Sequence, residues 1–146
     1  MDFLARIPFV EHLGFDLLRL EPGIGEIAID VREELTNSLG VAHGGLLMTL
    51  LDVAMAHAAR SPAETGGEVL QTVVTIEMKT SFMRPGIGRL LGTGRRMHRT
   101  VSLAFCEASV VDARGHLVGH STGTFKYLRA PFSGEPRRIH RTNASD

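Results

Sequence analysis

The chain has 146 residues, 16 of them Lys or Arg and 16 Asp or Glu, for a formal net charge of zero. That length suits one domain with a real core. The balanced charge argues against a nucleic-acid binder that relies on a basic field, while leaving no electrostatic obstacle to self-association. The one cysteine, Cys106, rules out an intramolecular disulfide and fits a reducing cytoplasm.

No apolar run is long enough to span a membrane. The opening MDFLARIPFVEHLG carries acids and a proline and does not read as a secretory signal. Residues 3–13 gather Phe3, Leu4, Ile7, Phe9, Val10 and Leu13, which predicts a short irregular helix lying on the domain. Phe15–Leu20 and Ile24–Arg32 flank Glu21-Pro22-Gly23, a hairpin signal. In the second arm Ile27, Ile29 and Val31 alternate with Glu26, Asp30 and Arg32, the period of a half-buried strand. A loop over residues 33–42 leads into a Leu-, Ala- and Met-rich helix from about Gly45 to Arg60. Ser61-Pro62 ends it and Thr65-Gly66-Gly67 makes the next turn.

Four strand-like runs follow, at Val69–Phe82, Ile87–His98, Val101–Val111 and Leu117–Leu128. The links between them are too short for parallel crossovers, so the runs are expected to be antiparallel neighbours. Residues 1–130 form the expected single domain, and the polar, proline-containing segment 131–146 is expected to be a mobile tail. There is no internal repeat.

The helix is apolar nearly all round, as buried helices are, yet Asp52 sits in its middle. A carboxylate there needs a partner, because desolvating a charge is costly. One flat sheet cannot cover such a helix. The order of strand, strand, helix and four strands predicts an α+β domain in which a curved antiparallel sheet wraps the helix. The face left over calls for a second chain.

Asn37-Ser38-Leu39-Gly40-Val41-Ala42-His43-Gly44-Gly45, with Asp52 seven residues beyond Gly45, resembles the hotdog-fold acyl-CoA thioesterases, in particular the phenylacetate-degradation (PaaI-like) branch. The strand from Val74 to Pro85 and the stretch from Asp112 to Phe125 are similar to that branch too, so the resemblance covers roughly residues 12–128. It implies a homodimer with one continuous sheet, often paired into a homotetramer, and hydrolysis of an acyl-CoA thioester by a carboxylate at the dimer interface. No cofactor is implied, since coenzyme A is part of the substrate. A non-catalytic acyl-CoA-binding hotdog dimer is the alternative, and a hotdog dehydratase or hydratase a weaker one, because fold alone does not fix function.

By this resemblance Asp52 is the general base or nucleophile, and the Gly45 N–H, at the positive end of the helix, is the oxyanion donor. Gly44 lets the substrate approach the backbone. The residues themselves leave plainer readings open: the glycines serve a turn, and Asp52 caps a loop or bonds a neighbouring Thr or Arg. Gly45 and Asp52 are two turns apart, about 10 Å along the axis. That is too far for both to act on one carbonyl, unless Asp52 comes from a second subunit.

Asn37 is a candidate for positioning water or thioester, and His43 for ordering the loop. Thr75 aligns with a Ser or Thr that orients the water. Its alternation with Leu70, Val74, Ile76, Met78 and Phe82 sets it on the face opposite theirs, so either the dimer site lies on that face or a bulge re-aims it. Arg84, Arg95, Arg96 and Arg99 are candidates for the CoA phosphates, with Arg99 at the strand junction preferred and Arg84 kept beside it. His57 and Arg60 are expected at the helix end, where positive charge suits the dipole. The remaining histidines lack metal-ligand spacing, so no metal is expected.

Overall fold

The computed structural model describes residues 1, 3, 6–61 and 71–128. The 62–70 turn, Leu70 as a facing residue, Leu4 and the tail over 131–146 lie outside the described residues. The elements in order are α1 (Pro8–Leu13), β1 (Asp16–Glu21), β2 (Ile24–Asp30), a 3₁₀ turn (Glu33–Leu35), α2 (Gly44–Arg60), β3 (Val73–Phe82), β4 (Arg89–Arg99), β5 (Leu103–Val111) and β6 (Leu117–Tyr127). The N-terminal helix is thus shorter than the stretch expected for it.

All six strands form one antiparallel sheet in the order β1-β2-β4-β5-β6-β3. The α+β class and the single wrapped helix agree with the sequence reading. The expected neighbours do not all agree. β3 pairs with β6, not with β4, and β4 inserts beside β2. The link over residues 83–88 is therefore no hairpin. It crosses the end of the sheet, held by Met83 N–H to Val118 O (2.8 Å), Ala42 N–H to Gly86 O (2.8 Å) and Val31 N–H to Gly88 O (2.9 Å). A curved sheet makes this short path sufficient, because curvature brings the ends of non-adjacent strands close together.

Leu50, Leu51, Ala54, Met55 and Ala58 of α2 are buried against Ile27, Ile29, Leu90, Val110, Val118 and Phe125 of the sheet. The close fit needs small residues beneath the helix. A Cβ at Gly94 would stand 2.2 Å from the Ala54 carbonyl oxygen. Gly94 pairs with Gly25 on one side and Ala108 on the other, so a small-residue row runs under α2.

The C-terminal end of α2 is satisfied by side chains. At the C-terminus Tyr127 Oη donates to Ala59 O (2.6 Å), and Ser61 Oγ donates to Ala58 O (2.7 Å). The Arg96 guanidinium reaches the Ala59 and Ser61 carbonyls at 3.4 and 3.3 Å. These groups take up carbonyls that a helix end otherwise leaves unpaired. Tyr127→Phe is expected to cost about 0.5–1.5 kcal/mol in urea unfolding, the usual worth of one buried hydrogen bond.

Two surfaces are left open. Gly45, Met48, Thr49, Asp52 and Ala56 lie on one stripe of α2 that the sheet does not fully cover. β3 is an edge strand, with no strand on its outer side among the described residues, and it shows Val74 and Ile76 to solvent.

Candidate active site

Asp52 lies halfway along α2 and is half-buried. Its Oδ1 accepts a 2.7 Å hydrogen bond from Thr75 Oγ1. The contact exists because β3 carries a bulge: Thr75 pairs with Phe125, and after a register shift Glu77 pairs with Thr124. Directly paired residues share a face, and Phe125 is fully buried, so Thr75 faces the helix. Beyond the bulge at Ile76 the parity flips: Met78 opposes Gly123, and Phe82 sits beside Gly44. The single apolar face expected for Val74, Ile76, Met78 and Phe82 is thus corrected. Met78 packs against the core, whereas Val74 and Ile76 are on the outside.

Burial pushes the Asp52 carboxyl above its ordinary pKa, and the Thr75 hydrogen bond opposes that with a smaller downward pull. An acid held this way is a better proton acceptor once ionised than an exposed aspartate.

The helix entrance is built by the preceding loop. Asn37 Oδ1 accepts from Leu39 N–H (2.9 Å) and Val41 N–H (3.4 Å), and Gly40, at φ +74°, closes the turn. His43 N–H donates to Leu35 O (2.9 Å). His43 is also the N-cap of α2, its Nδ1 accepting from Gly45 N–H at 2.8 Å. This fixes the tautomer, with Nδ1 bare and any imidazole proton on Nε2. It also occupies the N–H expected to serve as donor. The Gly45 N–H is already engaged, whereas the Gly44 N–H, one residue earlier, has no partner among the described residues. With Phe82 packed beside Gly44, that N–H borders an apolar wall.

The arginines separate. Arg84 is exposed on the 83–88 link, which is bonded through Gly86 O to Ala42 N–H in the loop leading into the entrance. Arg99 is at the other end of α2, its guanidinium 4.2 Å over the Tyr127 ring and bonded to Gln71. Arg96 caps the helix C-terminus and is not available for phosphates; Arg95 is exposed on β4. His57 departs from expectation. It is buried with Nδ1 2.8 Å from Val53 O, and burial lowers its pKa, so it supplies no positive charge to the helix end. Among the described residues no group of three His, Cys, Asp or Glu is placed to hold a metal ion, and no helix is long and apolar enough to cross a membrane.

The thioesterase superfamily profile matches residues 39–119, more than half of the chain and the part that carries His43, Gly44, Gly45, Asp52 and Thr75. The chain belongs to the thioesterase superfamily. It is 25% identical to the acyl-coenzyme A thioesterase PaaI of Escherichia coli K12 over 125 residues, covering 84% of each. The structure of E. coli PaaI shares the fold, with a TM-score of 0.74 at 23% identity over 82% of this chain and 83% of that one. Conserved protein PA5202 from Pseudomonas aeruginosa superposes with a TM-score of 0.76 at 31% identity, over 84% of this chain and 95% of that one. A thioesterase family protein from Silicibacter pomeroyi gives 0.75 at 26% identity, over 84% and 90%.

The hotdog fold and the PaaI-like resemblance read from the sequence are therefore correct, and this superfamily member is a thioester hydrolase. In one chain of this thioesterase the structure joins Asp52 to Thr75. It gathers Asn37, His43, Gly44 and Gly45 at the entrance, with Arg84 on the adjoining link. Arg99 is held apart. Sequence reasoning missed the His43 cap and the Phe82–Gly44 contact. The first was readable as a polar side chain directly before a helix start; the second depends on the bulge and had no local sign.

Proposed function

We propose that the protein hydrolyses an acyl-CoA thioester to free acid and CoA at a site shared by two subunits of a homodimer, with pairing of dimers into a tetramer also open to it. What carries this reading is the hydrogen-bonded Asp52–Thr75 pair on the uncovered stripe of α2, two helical turns from the entrance with its free Gly44 N–H. That spacing, about 12 Å along one helix, keeps the two halves from meeting on one carbonyl within a chain. The open stripe and the unpaired edge of β3 support a two-fold neighbour that brings Asp52 of one subunit to the entrance of the other.

In the reaction Asp52 removes a proton from water as the water oxygen attacks the thioester carbon, or attacks that carbon itself and is released by water in a second step. Charge developing on the carbonyl oxygen is met by the N–H groups at the α2 N-terminus, Gly44 first. Collapse expels the CoA thiolate. Thr75 holds the carboxylate in place, and Asn37 and His43 shape the entrance. Arg84 is better placed for a CoA phosphate than Arg99. No cofactor enters. The single cysteine is buried, its thiol pushed up to about 12, so it is inert as a nucleophile and compatible with a cytoplasmic setting.

The test is thiol release over a panel of short, medium, long and aromatic acyl-CoA substrates, with Asp52→Asn alongside. Saturable binding without turnover would instead favour the non-catalytic dimer.

A pH dependence follows. The ionised form of Asp52 is the active one and burial raises its pKa, so kcat/KM is expected to climb with pH through a limb above the ordinary carboxylate range. Thr75→Val removes the hydrogen bond that favours the ionised form, and so moves the limb to higher pH. A limb at the same or lower pH in this variant would exclude Thr75 as the carboxylate's partner.

A further inference from the structure

Phe82 is the last residue of β3, and no step of the chemistry above uses it. The bulge decides where its ring goes. Thr75 faces α2 ahead of the bulge, and beyond Ile76 the parity flips, so Met78 and Phe82 face α2 instead. Phe82 pairs directly with Gly119, and a Cβ at Gly119 would lie 3.9 Å from Leu51 Cδ1 of the helix. Directly paired residues share a face. The ring therefore turns toward α2 over a neighbour that has no side chain to obstruct it.

It reaches the first residue of the helix. A Cβ at Gly44 would meet Cε1 and Cζ of Phe82, both at 3.6 Å. A helical Cα–Cβ bond tilts toward the helix N-terminus, the direction in which the first N–H groups of a helix also point. An oxygen accepting from the Gly44 N–H, which has no partner among the described residues, thus comes to lie beside the ring. His43 Nδ1 already takes the next N–H, that of Gly45, at 2.8 Å.

Neither residue is explained by packing. Gly44 is not one of the positive-φ glycines, and a methyl group there would touch the ring at an ordinary contact distance, so the backbone does not demand glycine. What glycine leaves is an empty seat between the ring and the N–H. Phe82 is 53% exposed, far more open than a ring that serves only the core.

We propose that Phe82 is the water-excluding wall of the oxyanion seat, and that the thioester carbonyl oxygen occupies the space a Gly44 side chain would fill. This rests on the hydrolase reading. Water at an unpaired N–H competes with the developing oxyanion and screens the helix end. An apolar ring against the seat removes part of that water, so the donor and the helix dipole act through a lower dielectric. The benefit falls on charge that appears only in the transition state. It belongs to kcat and not to KM.

The test is thiol release from the best substrate of the acyl-CoA panel by wild type, Phe82→Leu, Phe82→Ser, Phe82→Asn, Gly44→Ala and the Gly44→Ala/Phe82→Ser double variant. Urea midpoint and oligomeric state are measured on each. Losing a whole oxyanion donor costs about 10²–10³-fold in kcat. Phe82→Ser and Phe82→Asn wet the donor without removing it, so either is expected to lose about 10-fold, with KM nearly unchanged. Phe82→Leu keeps the wall apolar and is expected to restore most of that loss. Gly44→Ala fills the seat and is expected to lose about 10²-fold. Adding Phe82→Ser to it is then expected to cost little more, because the two changes act on one seat.

Unchanged kcat in the polar variants overturns the role of Phe82, as do an equal fall in Phe82→Leu, fully additive losses in the double variant, or a fall that tracks a changed oligomeric state. Wild-type protein that releases no thiol from any substrate sinks the hydrolase reading and this role together. Wild-type turnover with polar variants as fast as wild type sinks this role alone.

Discussion

Replacing Asp52 with asparagine is expected to lower kcat for acyl-CoA hydrolysis by about 10²–10⁴-fold, the usual contribution of a positioned general base. Asparagine keeps the shape and can still accept from Thr75 Oγ1, so the 2.7 Å contact and the packing around it are preserved. What it loses is the ability to take a proton or to form an acyl link. KM is expected to change little, since the group acts on the transition state and not on the bound CoA. Equal kcat in the two proteins would remove Asp52 from the mechanism.

The same variant examines whether the site is composite. Mixed with an Asn37→Ala variant after unfolding and refolding together, Asp52→Asn forms heterodimers in which one of the two shared sites has both groups intact. Half of the dimers are mixed and each restores one site, so about a quarter of wild-type activity is expected for a two-fold interface that divides the site between subunits. No recovery above the two separate variants would place Asp52 and Asn37 in the same chain's site, against the geometry of a single α2.

Stability should move the other way. Burial holds the folded-state pKa of Asp52 above its unfolded value, so the folded protein binds that proton more tightly than the unfolded chain. The stability this supplies at low pH is lost as pH rises from the ordinary carboxylate range through the raised folded value. Asparagine does not ionise, so Asp52→Asn is expected to melt above wild type at neutral pH, with the difference closing on acidification. A carboxylate kept where it destabilises the fold fits a group retained for chemistry.

The helix was legible because its Leu, Ala and Met run has no competing period, and Asp52 stood out against it. The strands were legible from alternation and turn residues. Two features were not. Nothing in Thr75-Ile76-Glu77 fixes where a bulge falls, since any residue can occupy an unpaired position; alternation read straight through Ile76 therefore grouped Val74 and Ile76 with Met78 and Phe82, and the bulge stood only as one of two readings for Thr75. The short Arg84-Pro85-Gly86 link looks like a hairpin, and only the curvature of the sheet makes it a path from β3 at the edge to β4 beside β2. Curvature is a property of six strands packed on one helix, and no local window contains it. The entrance is similar. His43, Gly44 and Gly45 were identified, but which N–H is free depends on where the imidazole turns, and that is settled by the cap to Gly45.

Gly94→Ala is expected to be the most damaging glycine-to-alanine change among the described residues. The added Cβ would lie 2.2 Å from the Ala54 carbonyl oxygen, 2.4 Å from its carbon and 2.8 Å from the Met55 nitrogen. All three are helix backbone, so no side chain can swing aside; α2 must move away from the sheet or β4 must buckle. Overpacking usually costs 1–3 kcal/mol and occasionally more, and against a rigid wall about 3 kcal/mol or more is expected, a large share of the roughly 5–15 kcal/mol that holds a domain together.

The control is Gly88→Ala. Gly88 has φ +71° and open space around it, so its replacement carries only the left-handed penalty of about 1–2 kcal/mol. Urea midpoints for the two variants separate room from conformation. Activity separates them further. α2 carries both the entrance and Asp52, so any folded Gly94→Ala protein has its reactive groups displaced, and about 1 Å of misplacement is enough to cost 10²-fold. A Gly94→Ala protein that melts like Gly88→Ala and turns over like wild type would show that the sheet is not pressed against α2 at this point, and the register of the helix over β4 would have to be redrawn.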